Sequence, residues 1–149
     1  MNLWVLLAHV GATIFMTGLI WLIQIVHYPL FGQVGPAQWH GYHSAHTTLI
    51  TFIVMPVMLV ELATAGWLVL ERPAAIPAWA ALLGAALVGV IWLSTAFLQV
   101  PMHNQLGGTF DVAAHANLVN TNWIRTVAWS ARTVLVLWMV ARLIPNPAT

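Results

Sequence analysis

No Asp, Glu, Lys or Arg occurs before Glu61, and none occurs between Arg72 and Asp111. A charge at the centre of a bilayer costs about 2.5 kcal/mol or more, so long charge-free runs are what hydrocarbon selects for. The rest of the composition agrees, with 61% hydrophobic and 5% charged residues, far from the soluble range. A formal net charge of +1 supplies no basic patch, which argues against nucleic acid as a partner. The absence of cysteine excludes disulfides, thiolate zinc sites, iron–sulfur clusters and a Cys nucleophile.

About 20 apolar residues cross the hydrocarbon core as a helix. Four stretches qualify: Leu3 to Leu30, His43 to Leu70, Ala78 to Val100 and Val112 to Ile144. The separators carry turn residues: two Gly and Pro36 in Phe31 to Trp39, two Pro in Glu71 to Pro77, and Pro101, Gly107 and Gly108 in Pro101 to Asp111. Short connections force antiparallel neighbours. The predicted fold is therefore all-α, an integral membrane up-down four-helix bundle forming a single domain over residues 1–149. The first apolar run is too long for a signal-peptide core and has no small-residue cleavage site after it, so it is expected to remain as the first span.

Arg72 in the second connection and Arg142 at the end of the fourth span place that face on the cytoplasmic side. Both termini are then cytoplasmic, as in a bacterial inner-membrane protein, and the first and third connections lie outside. Trp4, Trp67, Trp79 and Trp138 are expected at the inner interface and Trp39 in the outer loop, as an aromatic belt. On the third span, Ala81, Ala85 and Gly89, with Ala80 and Gly84, permit close helix approach, either within the bundle or in a homo-oligomer.

This topology gathers six of the seven histidines at the outer end. Gln24 and His27 end the first span; His40, His43 and His46 begin the second; His103 and Asn104 follow the third; Asp111 and His115 begin the fourth. Spacings of three put His43 with His46, and Gln24 with His27, on common helix sides. Histidine is the commonest metal ligand, and His27, His43, His46, His103 and His115 are the candidate ligands. His40 reads as an interfacial hydrogen-bonding histidine. The acidic residues, Glu61, Glu71 and Asp111, do not supply a carboxylate-bridged di-iron site. A metal ion (iron, copper or zinc) or haem b remains open, since all suit imidazole.

Below this group a polar seam runs down the bundle. It comprises Asn122, Arg125, Trp129 and Arg132 on the fourth span, His9, Thr13, Thr17 and Gln24 on the first, and Thr95 and Gln99 on the third. Glu61 is expected to pair with Arg125 or Arg132, either as a structural pin or as part of a proton or substrate path.

Pro101-Met102-His103-Asn104-Gln105-Leu106, followed by Asn122-Trp123-Ile124-Arg125-Thr126, resembles the Pro-Leu-Asn-Asn-x-Leu and Asn-x-x-Arg-Thr signatures of anthrone oxygenase-like membrane proteins. The match covers roughly the last third of the chain, with His103 where the family has its first Asn. The resemblance implies a four-span oxygenase-like protein acting on a hydrophobic, often aromatic, compound. A weaker likeness, carried by Leu3-Trp4 with His9, Gly18-Leu19 and Met55-Pro56, is to four-span haem proteins of the bacterial protoporphyrinogen oxidase type. Those carry a lysine on the third span that is absent here. That likeness implies haem, with His9 the residue carried over and His115 the matching cofactor-binding candidate.

The expected function is a metal-dependent, oxygenase-like oxidoreductase acting on a small lipophilic substrate drawn from the lipid bilayer. Asn104, Asn122 and Arg125 are the catalytic candidates, orienting substrate or an oxygen-derived anion. A haem-b membrane redox protein and a non-enzymatic metal or small-molecule carrier are the rival expectations.

Overall fold

The computed structural model describes residues 3–144. Four helices make up the described chain, α1 (Leu3–Gln33), α2 (Pro36–Leu70), α3 (Ala78–Leu106) and α4 (Val112–Ala141), each long and apolar enough to cross a membrane. At about 1.5 Å per residue they run roughly 44 to 52 Å, so their ends outreach a hydrocarbon core of about 30 Å. α1 packs on α2 and α4, and α3 packs on α2 and α4, closing an up-down four-helix bundle. Large apolar side chains point outward, Phe52 and Phe97 being 75% and 72% exposed. The interior instead holds His9, Gln24, Glu61, Gln99, Asn122, Arg125 and Arg132 among its buried residues.

Four boundaries differ from the sequence expectation. α2 begins at Pro36 rather than His43, with Gly35 as its N-cap in extended conformation. Proline at the first helical position loses no hydrogen bond that the helix would have made, so Pro36 starts a helix instead of interrupting one. α3 continues through Pro101 to Leu106 instead of stopping at Val100, and α1 likewise continues through Pro29 to Gln33. As a result His103 and Asn104 lie on a helix and not in a loop. α4 ends at Ala141 rather than Ile144.

The device that lets α1 and α3 pass their prolines is the same in both. A π-helical turn spans Ile23–His27 in α1 and closes with Tyr28 N–H donating to the Ile23 carbonyl. Another spans Thr95–Gln99 in α3 and closes with Val100 N–H donating to the Thr95 carbonyl. Each proline follows two residues after its π-turn. A proline lacks the N–H and crowds the carbonyl of the preceding turn, and a widened turn relieves both problems. Because each π-turn takes in one extra residue, it also rotates the following side chains. Gln24 and Gln99 within the turns, and Tyr28 just after the first, are all buried.

Near the opposite end, one side chain joins the whole bundle. Arg132 of α4 donates to the Gly84 carbonyl of α3, to Thr13 Oγ1 of α1 at 3.2 Å and to Glu61 Oε1 of α2 at 3.4 Å. The expected pairing of Glu61 thus falls on Arg132. Trp129 Nε1 donates to the other Glu61 oxygen at 2.8 Å. Gly84 leaves the approach open, its missing Cβ lying 3.7 Å from Leu135 and 3.9 Å from Arg132.

Breaking a buried ion pair from one side leaves an uncompensated charge. We therefore expect Glu61→Gln to destabilise the detergent-solubilised protein by about 3–5 kcal/mol, and Glu61→Gln with Arg132→Met to cost distinctly less than Arg132→Met alone implies by addition. Thermal or denaturant unfolding of the three variants checks this; strict additivity would remove the pair's structural role.

Candidate functional site

At the end of the bundle that carries the α1–α2 and α3–α4 connections, four imidazoles form two hydrogen-bonded pairs. His27 Nε2 lies 2.8 Å from His46 Nδ1, and His43 Nε2 lies 3.1 Å from His103 Nδ1. The pairs abut, with His46 and His103 ring centres 5.5 Å apart. His43 and His46 sit one turn apart on α2 and are 3% and 9% exposed, while His27 ends the π-turn of α1 and His103 follows that of α3. His46 Nε2 is buried and has no hydrogen-bond partner. In either tautomer that atom is an unmet donor or an open lone pair, the kind of group that native structures seldom leave without a purpose.

Phe31, fully buried, is the hub of this cluster, with its ring centre 5.1 Å from His27 and 5.0 Å from His46. Trp39 stacks on His43 at 5.1 Å and donates from Nε1 to the Leu106 carbonyl at 2.8 Å. Being 1% exposed, Trp39 is a core residue of α2. The expectation that it marks an outer interfacial belt is corrected, because α2 starts earlier and carries it inside the bundle.

Tyr28 connects the histidines to the polar seam. Its hydroxyl lies 3.1 Å from His103 Nε2 and accepts from Arg125 Nη2 at 3.3 Å. Arg125 also donates through Nε to Asn122 Oδ1 at 2.9 Å and through Nη1 to Thr95 Oγ1 at 3.3 Å. Asn122 donates to Gln24 Oε1 at 2.8 Å, and Gln24 donates to the Val119 carbonyl at 3.1 Å. The chain His43–His103–Tyr28–Arg125–Asn122–Gln24 is continuous.

Under this roof lies a cavity of about 140 Å³, walled by Met16, Ile20, Met58, Trp92 and Trp129 and roofed by Tyr28, His103 and Arg125. Its exposed lining residues, Thr51 and Met55 of α2 and Val100 of α3, put the mouth between those two helices on the apolar flank. A cavity of roughly 150 Å³ lined by apolar side chains accepts a benzene ring.

The other expected residues fall elsewhere. His115 Nε2 donates to the Tyr28 carbonyl at 2.8 Å and so caps the end of α1. His40 Nδ1 donates to the Gly107 carbonyl at 2.9 Å, the hydrogen-bonding role expected for it. His9 Nδ1 pairs with Thr64 Oγ1 at 2.8 Å in the opposite half of the bundle, so His9 and His115 do not face one another. Asn122 and Arg125 stand together on the cavity side. Asn104 is exposed and lines a separate opening of about 280 Å³ with His40, His43, Ser44, Thr47, His103 and Gly107. The three catalytic candidates therefore do not form one constellation.

Tyr28 and Phe31 were not singled out by sequence, although Gln24, Tyr28 and Phe31 follow the four-then-three spacing of one helix face. Among the described residues, no three His, Asp or Glu converge in an arrangement that could hold a metal ion. Comparison with family models, with curated proteins and with solved structures gave no match.

Trp39→Phe keeps the ring but strands the buried Leu106 carbonyl. We expect it to cost about 1–3 kcal/mol and to loosen His43, measured as lower thermal stability and weaker near-ultraviolet dichroism than for the exposed-site control Trp123→Phe.

Proposed function

We propose that the chain is a membrane-embedded, metal-assisted oxidoreductase of oxygenase-like type, acting on a small lipophilic substrate that enters from the bilayer. The observation that carries this reading is the buried, unpartnered His46 Nε2 within a four-histidine cluster that borders an apolar cavity through His103. The likeness of the last third to anthrone oxygenase-like proteins supports the same class.

The donors fit an imidazole-bound ion such as iron, copper or zinc by chemistry. No three of them converge, and the paired nitrogens are taken up with one another, so His46 Nε2 is the buried donor atom an ion would use, a second imidazole joining it only by giving up its hydrogen bond. A bound redox metal would supply electron transfer with the substrate or its oxidant. The chain's own residues account for the rest. Tyr28 lies between His103 and Arg125 and offers a hydroxyl through which a proton passes from the cavity roof toward His103 and His43. Gln24, through Asn122, fixes the Arg125 guanidinium, and the apolar walls keep water out. Haem b fits poorly: His9 and His115 lie apart, and a benzene-sized cavity is far too small for a porphyrin. No step is assigned to it.

A cation carrier is the second reading, favoured by the polar opening lined by His40, His43, Ser44 and Asn104. Turnover of substrate separates the two.

Metal analysis of detergent-purified protein tests the main reading. We expect near-stoichiometric iron or copper, a fall of about tenfold or more in His46→Ala, in line with loss of a metal-ordering group, and no fall in His40→Ala. Metal-free wild-type protein, or metal retained in every variant, would refute the reading.

We also propose that the histidine end lies on the outer face of the membrane, because Arg72 and Arg142 sit at the other end. With no native cysteine, single cysteines at Ser44 and Ala74 report this directly. A membrane-impermeant maleimide added to intact cells should label Ser44→Cys and not Ala74→Cys; the reverse pattern inverts the topology.

A further inference from the structure

Three charged side chains are buried in the bundle: Glu61, Arg125 and Arg132. Arg132 has Glu61 as its counter-ion, which leaves the charge of Arg125 uncompensated. Arg125 is 6% exposed, and its hydrogen bonds go only to the neutral groups of Asn122, Thr95 and Tyr28. No carboxylate among the described residues forms an ion pair with it. A guanidinium carries five N–H donors, and those bonds engage four of them, leaving one on Nη1. An intramembrane charge normally finds a partner of opposite sign, and this one instead borders the benzene-sized cavity that opens between α2 and α3.

We infer that this cavity binds a lipophilic anion of about one aromatic ring, its charged oxygen paired with Arg125 and its ring held among Trp92, Trp129, Met16 and Met58. The ligand itself then supplies the counter-ion missing from the chain. Two features favour a carboxylate or phenolate over an inorganic anion. The lining is mainly apolar, and its charged and ring-nitrogen groups are gathered at the roof around Tyr28, His103 and Arg125, with Thr51, Thr95 and Gln99 the other polar residues. Three methionines, Met16, Met55 and Met58, line the space and adapt to ring substituents. A bound anion also lies against Tyr28 and His103, at the edge of the histidine cluster. The inference names the substrate class of the proposed oxidoreductase and rests on that reading only for the chemistry after binding.

Equilibrium dialysis of radiolabelled benzoate against the full-length protein in detergent, with benzamide as the neutral isostere, tests it. Benzoate should bind about tenfold or more tightly than benzamide, a gap that Arg125→Gln should close to about twofold or less. Met55→Trp, a change at the half-exposed mouth, should block the cavity and lower benzoate binding about tenfold without touching the charge. Equal binding of the two probes, an unchanged preference in Arg125→Gln, or displacement of benzoate by chloride regardless of the ring would overturn the inference. Should Arg125→Gln fail to fold, the wild-type probe comparison and Met55→Trp still decide. His46→Ala separates this inference from the functional reading: if the metal-dependent activity is absent but benzoate still binds wild type and His46→Ala alike, the oxidoreductase falls and the anion site stands.

Discussion

The Arg132 guanidinium is the single interaction on which the bundle's register depends, because it reaches all three of the other helices at one level. Hydrocarbon offers no alternative partner, so a helix that slid or rotated would strand Glu61, Thr13 or the Gly84 carbonyl. In a water-soluble bundle the same network would be worth little, since each partner would be solvated again on separation. Here the apolar side chains do not drive the helices together strongly, because lipid tails are as apolar as they are. Specificity therefore passes to the polar seam.

Seven residues along α4 sits the second buried guanidinium, Arg125, about 10 Å away along the helix axis. The contrast between the two is what gives the molecule its polarity of function. Around Arg132 every helix contributes and the charge is neutralised by the chain. Around Arg125 the partners are neutral, and the guanidinium borders a cavity. The histidine cluster borders that unsatisfied side of the bundle.

Much of this was legible in the sequence because the bilayer imposes coarse rules. The charge-free runs located four spans, antiparallel connectivity gathered the histidines, and the scarcity of partners led Glu61 to an arginine of α4. What escaped depended on finer backbone geometry. Pro101 read as a breaker, whereas the π-turn before it, like the one before Pro29, lets the helix continue. A π-turn has no compositional signature, so a helix continuing past Pro101 could not be foreseen from a regular 3.6-residue period. Pro36 was read as loop rather than helix start, which left Trp39 outside a core it in fact helps to build. Asn104 and Asn122 looked equivalent as polar residues of one motif pair, yet only the second is buried, because α3 turns Asn104 to the surface beyond Pro101.

The mouth of the cavity lies on the bundle's apolar flank, between Thr51 and Met55 on one side and Val100 on the other. A ligand taken through such a window is delivered by two-dimensional diffusion, and the concentration governing occupancy is its mole fraction in the surrounding lipid. Saturation curves plotted against bulk concentration then shift with the amount of lipid or detergent present, as dilution within the membrane phase. Weakly water-soluble compounds would then reach the cavity at high local abundance even when almost none is free in water.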